Sequence, residues 1–123
     1  MSFKLQRPKF NNKPYDIVNE GTVAGIGVIA SKNFAKGEFI DTAFDNEEKV
    51  LQKPMVDTRT NFGKSINHQK DSNATQKRED NKLNVYADRD IMAGEEITLN
   101  YNKAPFYVKA AVNTKGYTEK WET

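Results

Sequence analysis

"ADRDIMAGEEITLNY", residues 87–101, is the stretch of this chain that says most about its fold. Its second half alternates apolar and polar side chains, with Ile97 and Leu99 separated by Thr98, as in a half-buried β-strand. The Ala-Gly-Glu at 93–95 predicts a turn, and "LNVYADRDI" (83–91) before it predicts a further strand. Taken alone, the stretch predicts a hairpin with a polar turn and an ordinary strand tyrosine.

The same pattern extends outward in both directions, because a helical period is nearly absent from the chain. Short apolar runs alternate with turn signals, which is typical of a mostly β protein. We predict strands in "TVAGIGVIAS" (22–31) and, after a Lys-Gly turn, in "FAKGEFIDTAF" (34–44), with a polar turn at "KREDNK" (77–82). One short helix is predicted in "NEEKVLQ" (46–52), stopped before Pro54.

Length and composition limit the classes of protein that the chain can represent. At 123 residues it is expected to form one domain, 1–123, with the aromatic-rich tail 102–123 packed on it. It has no cysteine and one histidine, which excludes disulfides and thiolate zinc sites and predicts no metal. The net charge of +2 comes from interspersed residues, so nucleic-acid binding is not expected. No run is long enough to span a membrane, and residues 1–14 lack the apolar core of a secretory signal.

Two earlier stretches combine residue types that suit ligand binding. "GIGVIA" (25–30) places Gly-X-Gly in a predicted strand, so the backbone there adopts an unusual conformation or something approaches it closely. The alternative is a β-bulge. "INHQKDSNA" (66–74) contains Asn67, whose side chain offers one acceptor and two donors, enough to orient a small zwitterion. The alternative is that Asn67 caps a turn and His68 is a structural imidazole.

Taken in order, these three stretches resemble the SET-domain lysine methyltransferases. Gly-X-Gly and a later Lys-Gly-Glu in "GIGVIASKNFAKGEFI" resemble the family's opening strand. "VDTRTNFGKSINHQKDSNA" resembles the stretch with Arg-Phe-Ile-Asn-His-Ser-Cys-x-Pro-Asn, with Lys64 for the usual Arg and "QKDSN" for its end. "GEEITLNY" resembles the closing segment. The resemblance covers roughly residues 23–101, and a chain this small without cysteine is similar to the minimal viral, chlorella-virus type members.

The resemblance implies a fold, a cofactor and a site. The fold would be a β-clip of small curved sheets in which the C-terminal segment threads under a loop, forming a pseudoknot. S-adenosyl-L-methionine would bind at Gly25, Ile26 and Gly27, at the Asn67 side chain and at the backbone of His68. Tyr101 would be the catalytic side chain, orienting the methyl group and the amine.

The resemblance also implies a reaction and a substrate. The activity would be methyl transfer to the ε-amine of a lysine in a protein substrate, bound along a sheet edge. Phe106 and Tyr107 would close the lysine channel, and Leu99, which has no hydroxyl to hold a water, predicts di- or trimethyl-lysine as the product. The expected location is intracellular, in a host cytoplasm for a viral or bacterial protein. The sequence does not decide between a monomer and a homodimer. Two alternatives are an inactive SET-like binding module, favoured by the absence of a tyrosine between residues 40 and 57, and a small basic nucleic-acid binder.

Overall fold

A computed structural model describes residues 13–19, 25–46 and 58–103 of the chain. The described part is mostly β, as the sequence predicts, with seven strands, one short α-helix and a closing 3-10 turn at Tyr101–Lys103. In chain order the elements are β1 (Tyr15–Val18), β2 (Gly27–Ala30), β3 (Phe39–Phe44), α1 (Asn61–Ser65), β4 (Asn67–His68), β5 (Ala74–Glu79), β6 (Lys82–Ala87) and β7 (Glu96–Leu99).

The first sheet has four strands in the order β1-β2-β7-β4. β1 and β7 both pair antiparallel with β2, whereas β4 pairs parallel with β7. The late strand β7 therefore lies between two strands made much earlier in the chain. Parallel neighbours need a long connection, and here residues 69–95 supply it.

The second sheet has three strands in the order β3-β6-β5. β5 and β6 form a hairpin whose two turn residues, Asp80 and Asn81, both have positive φ, at 49° and 64°. Asn and Asp tolerate this conformation better than other side chains, and two such residues match the twist of a tight hairpin. "KREDNK" is therefore a two-residue turn with paired strand on either side, rather than a turn throughout.

The stretch 87–101 is not a hairpin, because its two predicted strands lie in different sheets. β6 ends at Ala87 and pairs with β3 and β5, whereas β7 pairs with β2 and β4. Ile91, which we expected in the strand, makes only an isolated bridge to Phe34. Gly94, with φ 96°, turns the chain toward β7 and donates its N–H to the Ala30 carbonyl at 2.8 Å.

The short helix α1 owes its place to contacts rather than to propensity. Thr60 caps it by accepting the Gly63 N–H at 3.0 Å, and the Thr60 hydroxyl donates to the Thr42 carbonyl in β3 at 2.6 Å. Phe62 is buried and its ring lies 5.0 Å from that of Tyr15. The helix is thus held against β3 before the chain enters β4.

The buried apolar residues of both sheets and α1 form one cluster. Val28, Val85, Ile91 and Ile97 have no exposed surface at all. The Tyr15 hydroxyl also donates a hydrogen bond to Asp41, which joins β1 to β3. The two sheets and α1 therefore share one hydrophobic core.

Several predictions fall on residues outside the described ranges. These are residues 47–52 of the helix predicted at 46–52, the start of the strand at 22–24 and the packing of the tail beyond Lys103. The pseudoknot also stays a prediction, because its threading depends on that tail. No helix in the described ranges is both long enough and apolar enough to cross a membrane.

Candidate active site

The pairing of β4 with β7 brings the predicted residues together. Asn67 is opposite Thr98 and His68 is opposite Leu99, so Tyr101 lies just beyond the end of the paired segment. A two-residue strand is too short to hold this register by itself. The site residues lie together because the rest of β7 is fixed on both sides.

Asn73 fixes β7 on the side of β4. Its side chain is buried, with 4% exposed, and makes two hydrogen bonds to the backbone of β7, as a neighbouring strand would. Nδ2 donates to the Glu96 carbonyl at 2.8 Å, and Oδ1 accepts the Thr98 N–H at 2.9 Å. The sequence analysis treated "QKDSN" only as a departure from the Ser-Cys-x-Pro-Asn of the SET-domain motif that the chain resembles. The final Asn of that motif is nevertheless retained at position 73, which was the available signal.

Asn67 does not cap a turn, because both of its amide hydrogens are used across the sheet. Nδ2 donates to the Ile26 carbonyl at 2.7 Å and to Glu96 Oε2 at 2.7 Å. The opposite orientation of the amide would place Oδ1 against two oxygen acceptors, so the hydrogen-bond pattern fixes the assignment. In the described part of the chain, Asn67 Oδ1 makes no hydrogen bond, and it is the atom left to accept one.

The His68 imidazole holds Tyr101. Nδ1 accepts the Tyr101 backbone N–H at 3.0 Å, and the two rings lie 5.2 Å apart at 47°. An accepting Nδ1 carries no proton, so the neutral ring has its proton on Nε2. Burial lowers the pKa of His68 below its usual value, which also favours the neutral form. The expected alternative of a structural imidazole therefore describes the ring well.

Tyr101 is anchored at both its backbone and its hydroxyl. The hydroxyl donates to the Ile66 carbonyl, and the ring packs against the core. Burial raises the pKa of Tyr101 to about 12, although the nearby positive charge of Arg59 opposes the shift. The phenol is therefore protonated at neutral pH. Its one hydrogen is donated to Ile66, so the oxygen is left to accept and to orient rather than to act as a base.

The Gly-X-Gly segment lies at the beginning of β2 rather than inside it. Gly25 and Ile26 precede the strand, and Gly27 is buried and pairs with Val18 without a register shift, so no bulge is present there. Neither glycine is among those with positive φ. A Cβ on Gly25 would approach only the Asn19 carbonyl, at 3.9 Å, which is an ordinary contact. The described residues thus give no steric reason for glycine at position 25.

The other predicted residues differ in how far the structure places them. Leu99 is 3% exposed and belongs to the core cluster, opposite His68. Phe106 and Tyr107 lie outside the described residues. Within the described ranges, no three His, Cys, Asp or Glu side chains come close enough to hold a metal ion.

Sequence reasoning missed two charged residues beside the site. Glu96 accepts from Asn67, and Arg59 is close enough to Tyr101 to influence its pKa. Glu96 was visible only as one of two adjacent glutamates in the "GEEIT" stretch, and nothing in the spacing distinguishes it from Glu95. Arg59 lies before α1, in a segment for which no element was predicted.

The comparisons with known proteins decide the fold. A sequence profile of the SET domain matches residues 45–102, which include β4, β7 and Tyr101. A proposed histone methyltransferase of Plasmodium falciparum superimposes with a TM-score of 0.54 at 22% identity, covering 72% of this chain and 92% of that one. The chain has a SET-domain fold.

Two further structures come from the Polycomb repressive complex 2 of Chaetomium thermophilum. One, in an autoinhibited conformation bound to S-adenosylmethionine, has a TM-score of 0.58 at 21% identity and covers 83% of this chain. A humanised mutant bound to an inhibitor has a TM-score of 0.54 at 24% identity and covers 72%. The chain spans only 17% and 15% of those two proteins. A search of curated protein sequences gave no match.

Proposed function

We propose that this protein is an S-adenosylmethionine-dependent protein-lysine methyltransferase. The observation that carries the proposal is the convergence of Ile26, Asn67, His68 and Tyr101 on the paired strands of a SET-domain fold. The SET profile match and the histone methyltransferase neighbour support the same assignment.

The residues present fit the proposed cofactor on two counts. Asn67 offers Oδ1 as an acceptor while both of its amide hydrogens are engaged, which suits the α-ammonium group of a methionine moiety. Glycine at position 25, without a steric reason inside the described protein, leaves a backbone that a ligand can approach closely. We therefore assign Gly25, Ile26, Gly27, Asn67 and the His68 backbone to the cofactor.

Bound S-adenosylmethionine supplies an electrophilic methyl group, and the protein has to present a neutral lysine amine to it. A lysine in water has a pKa near 10.4, so removing it from water is the simplest way to favour the neutral form. The Tyr101 hydroxyl is protonated and rigidly placed, so it orients the reacting groups without taking a proton. The Tyr101 ring, Leu99, Phe106 and Tyr107 are our candidates for the walls that exclude water.

We further propose a di- or trimethylated product, because Leu99 has no hydroxyl to retain a water beside the amine. The substrate is a protein segment carrying the target lysine, and all 123 residues are proposed to act as one domain inside the cell. The proposal of a viral-type minimal member rests only on the size of the chain and its lack of cysteine.

The decisive experiment incubates the purified protein with radiolabelled S-adenosylmethionine, histones and a cell lysate, followed by mass spectrometry of labelled bands. Methyl-lysine formed by the wild type and much less by Tyr101→Phe would support the proposal. Binding of S-adenosylhomocysteine without any transfer would favour the inactive binding module. No binding at all would overturn the proposed cofactor site.

A further inference from the structure

Glu96 is the first residue of β7 and is held firmly in place. Its backbone pairs with Ile29 of β2 on one side, and its carbonyl accepts the Asn73 side chain at 2.8 Å on the other. The side chain is partly buried and turns toward β4, where Oε2 accepts from Asn67 Nδ2 at 2.7 Å. A charged acceptor on a rigid strand makes a stronger and shorter hydrogen bond than a neutral one.

The contact matters because a carboxamide has two nearly isosteric orientations. The Ile26 carbonyl engages only one of the two amide hydrogens of Asn67, and it lies before β2 begins. Glu96 engages the other and would repel Oδ1 if the amide turned over, because both groups are acceptors. With both contacts in place, Oδ1 has one direction in which to point.

We propose that Glu96 is a positioning residue for the cofactor: it fixes the Asn67 amide so that Oδ1 faces the cofactor's α-ammonium group. The inference rests on the proposed cofactor site and adds a residue that acts through Asn67 rather than by touching the ligand. Its competitor is a direct effect of the Glu96 charge on a cationic ligand. Positioning requires a Glu96 side chain long enough to contact Asn67, whereas a direct effect on the ligand requires only its negative charge.

A matched pair of variants separates reach from charge. Glu96→Gln keeps the length of the side chain and an acceptor oxygen but loses the charge. Glu96→Asp keeps the charge but is one methylene shorter, so it no longer reaches Asn67. S-adenosylhomocysteine binding is measured by calorimetry for both variants, for Asn67→Ala and for the double variant Glu96→Asp/Asn67→Ala. Thermal melting of each variant shows that it is folded.

Positioning predicts that Glu96→Asp weakens binding about tenfold, on the scale of one lost hydrogen bond to a charged group, and that Glu96→Gln stays within about threefold of wild type. Adding Glu96→Asp to Asn67→Ala should then cost nothing more, because the partner through which it acts is gone. Binding that is lost in Glu96→Gln and kept in Glu96→Asp would overturn positioning in favour of charge. Additive losses in the double variant would also overturn it.

A second measurement needs no ligand. In a ¹⁵N-correlated NMR spectrum, the side-chain amide pair of Asn67 is the pair missing from Asn67→Ala. The chemical shift of one of its two protons should move toward the value of a solvent-exposed amide in Glu96→Asp. The same shift should stay near its wild-type value in Glu96→Gln. An unchanged pair in Glu96→Asp would overturn the inference by itself. If the wild type binds S-adenosylhomocysteine and Glu96→Asp binds it equally well, only the inference is refuted. If the wild type does not bind it, the proposed function and the inference are refuted together.

Discussion

Gly63 lies in α1, where a methyl group on its Cα would meet the backbone of β3. A Cβ built at this position would lie 2.8 Å from the carbonyl carbon of Ala43 and 3.1 Å from its Cα, and closer still to the carbonyl oxygen. All three atoms belong to backbone, so no side-chain rotation relieves the clash. Gly63→Ala therefore tests how closely α1 is packed on β3.

The magnitude follows from three terms. Helix propensity alone would favour alanine by about 1 kcal/mol. Relief of the clash requires α1 and β3 to separate by about 1 Å, and overpacking of this kind costs about 1–3 kcal/mol. The same separation breaks the hydrogen bonds from Thr60 to Ala43 O (2.9 Å) and to Thr42 O (2.6 Å), at about 1 kcal/mol each. We expect a net loss of about 2–4 kcal/mol.

Urea unfolding followed by circular dichroism measures this directly. With a slope of about 1.5 kcal/mol per molar urea, the midpoint should fall by roughly 2 M. Gly37→Ala is the matched control, since Gly37 has φ 90° but nothing within 4 Å of an added Cβ, so only backbone strain of about 1–2 kcal/mol applies. A Gly63→Ala protein as stable as the wild type, or more stable, would refute the close packing of α1 on β3.

The remaining predictions concern the site. Tyr101→Phe should bind S-adenosylhomocysteine almost normally but turn over roughly 10²-fold more slowly, because the ring stays while the orienting hydroxyl and its bond to Ile66 are lost. Equal single-turnover rates would exclude that role. Gly25→Ala should leave stability within about 0.5 kcal/mol of wild type but weaken cofactor binding about tenfold by calorimetry, and unaltered affinity would move the ligand away from Gly25. His68 has a lowered folded-state pKa, so its contribution to stability is present above its unfolded pKa near 6.5 and is lost as pH falls below it. Urea midpoints should therefore drop between pH 7.5 and 5.5 in the wild type and drop less in His68→Gln, which accepts the Tyr101 N–H without titrating. Equal drops in the two proteins would assign the pH effect to another group. Leu99→Tyr should shift the product toward monomethyl-lysine by mass spectrometry while costing about 1–3 kcal/mol, because Leu99 is buried, and a wild type that stops at one methyl group would contradict its role.

The strands that sequence reasoning predicted are those whose side chains alternate or form a compact apolar run. β2, β3 and β7 fall inside predicted stretches, and so does β6 apart from its first residue, Lys82, because burying one face requires a period of two. β5 was missed since "ATQKRE" is polar on both faces. It lies at a sheet edge, where charged side chains are usual and discourage pairing with another chain.

The helix α1 was missed for a different physical reason. "NFGKS" contains Gly and Asn, both poor helix formers, and the element is shorter than any periodic signal. What holds it in place is the hydrogen bond from the Thr60 hydroxyl to the Thr42 carbonyl and the absence of a side chain at Gly63, both of which depend on β3. Tertiary contacts of this kind have no local sequence signature.

The site residues were predicted by their order along the chain, and their partners were not. Asn67 and Tyr101 carry recognisable motifs, so the resemblance could select them. The contacts that hold them, from Ile26, Glu96 and Ile66, involve backbone carbonyls or one of two adjacent glutamates. Such contacts arise only when β7 enters between β2 and β4, which no local pattern encodes.

The central position of β7 also sets when the protein becomes competent during its synthesis. β1, β2 and β4 are made before residues 96–101, yet β4 joins β1 and β2 in one sheet only through β7. Pairing between segments so distant in sequence is slow, since the intervening chain has to be ordered first. A nascent or truncated chain that ends before β7 therefore lacks the site altogether rather than having a weakened one. The chain therefore has to be made at least as far as residue 101 before the proposed cofactor can be held.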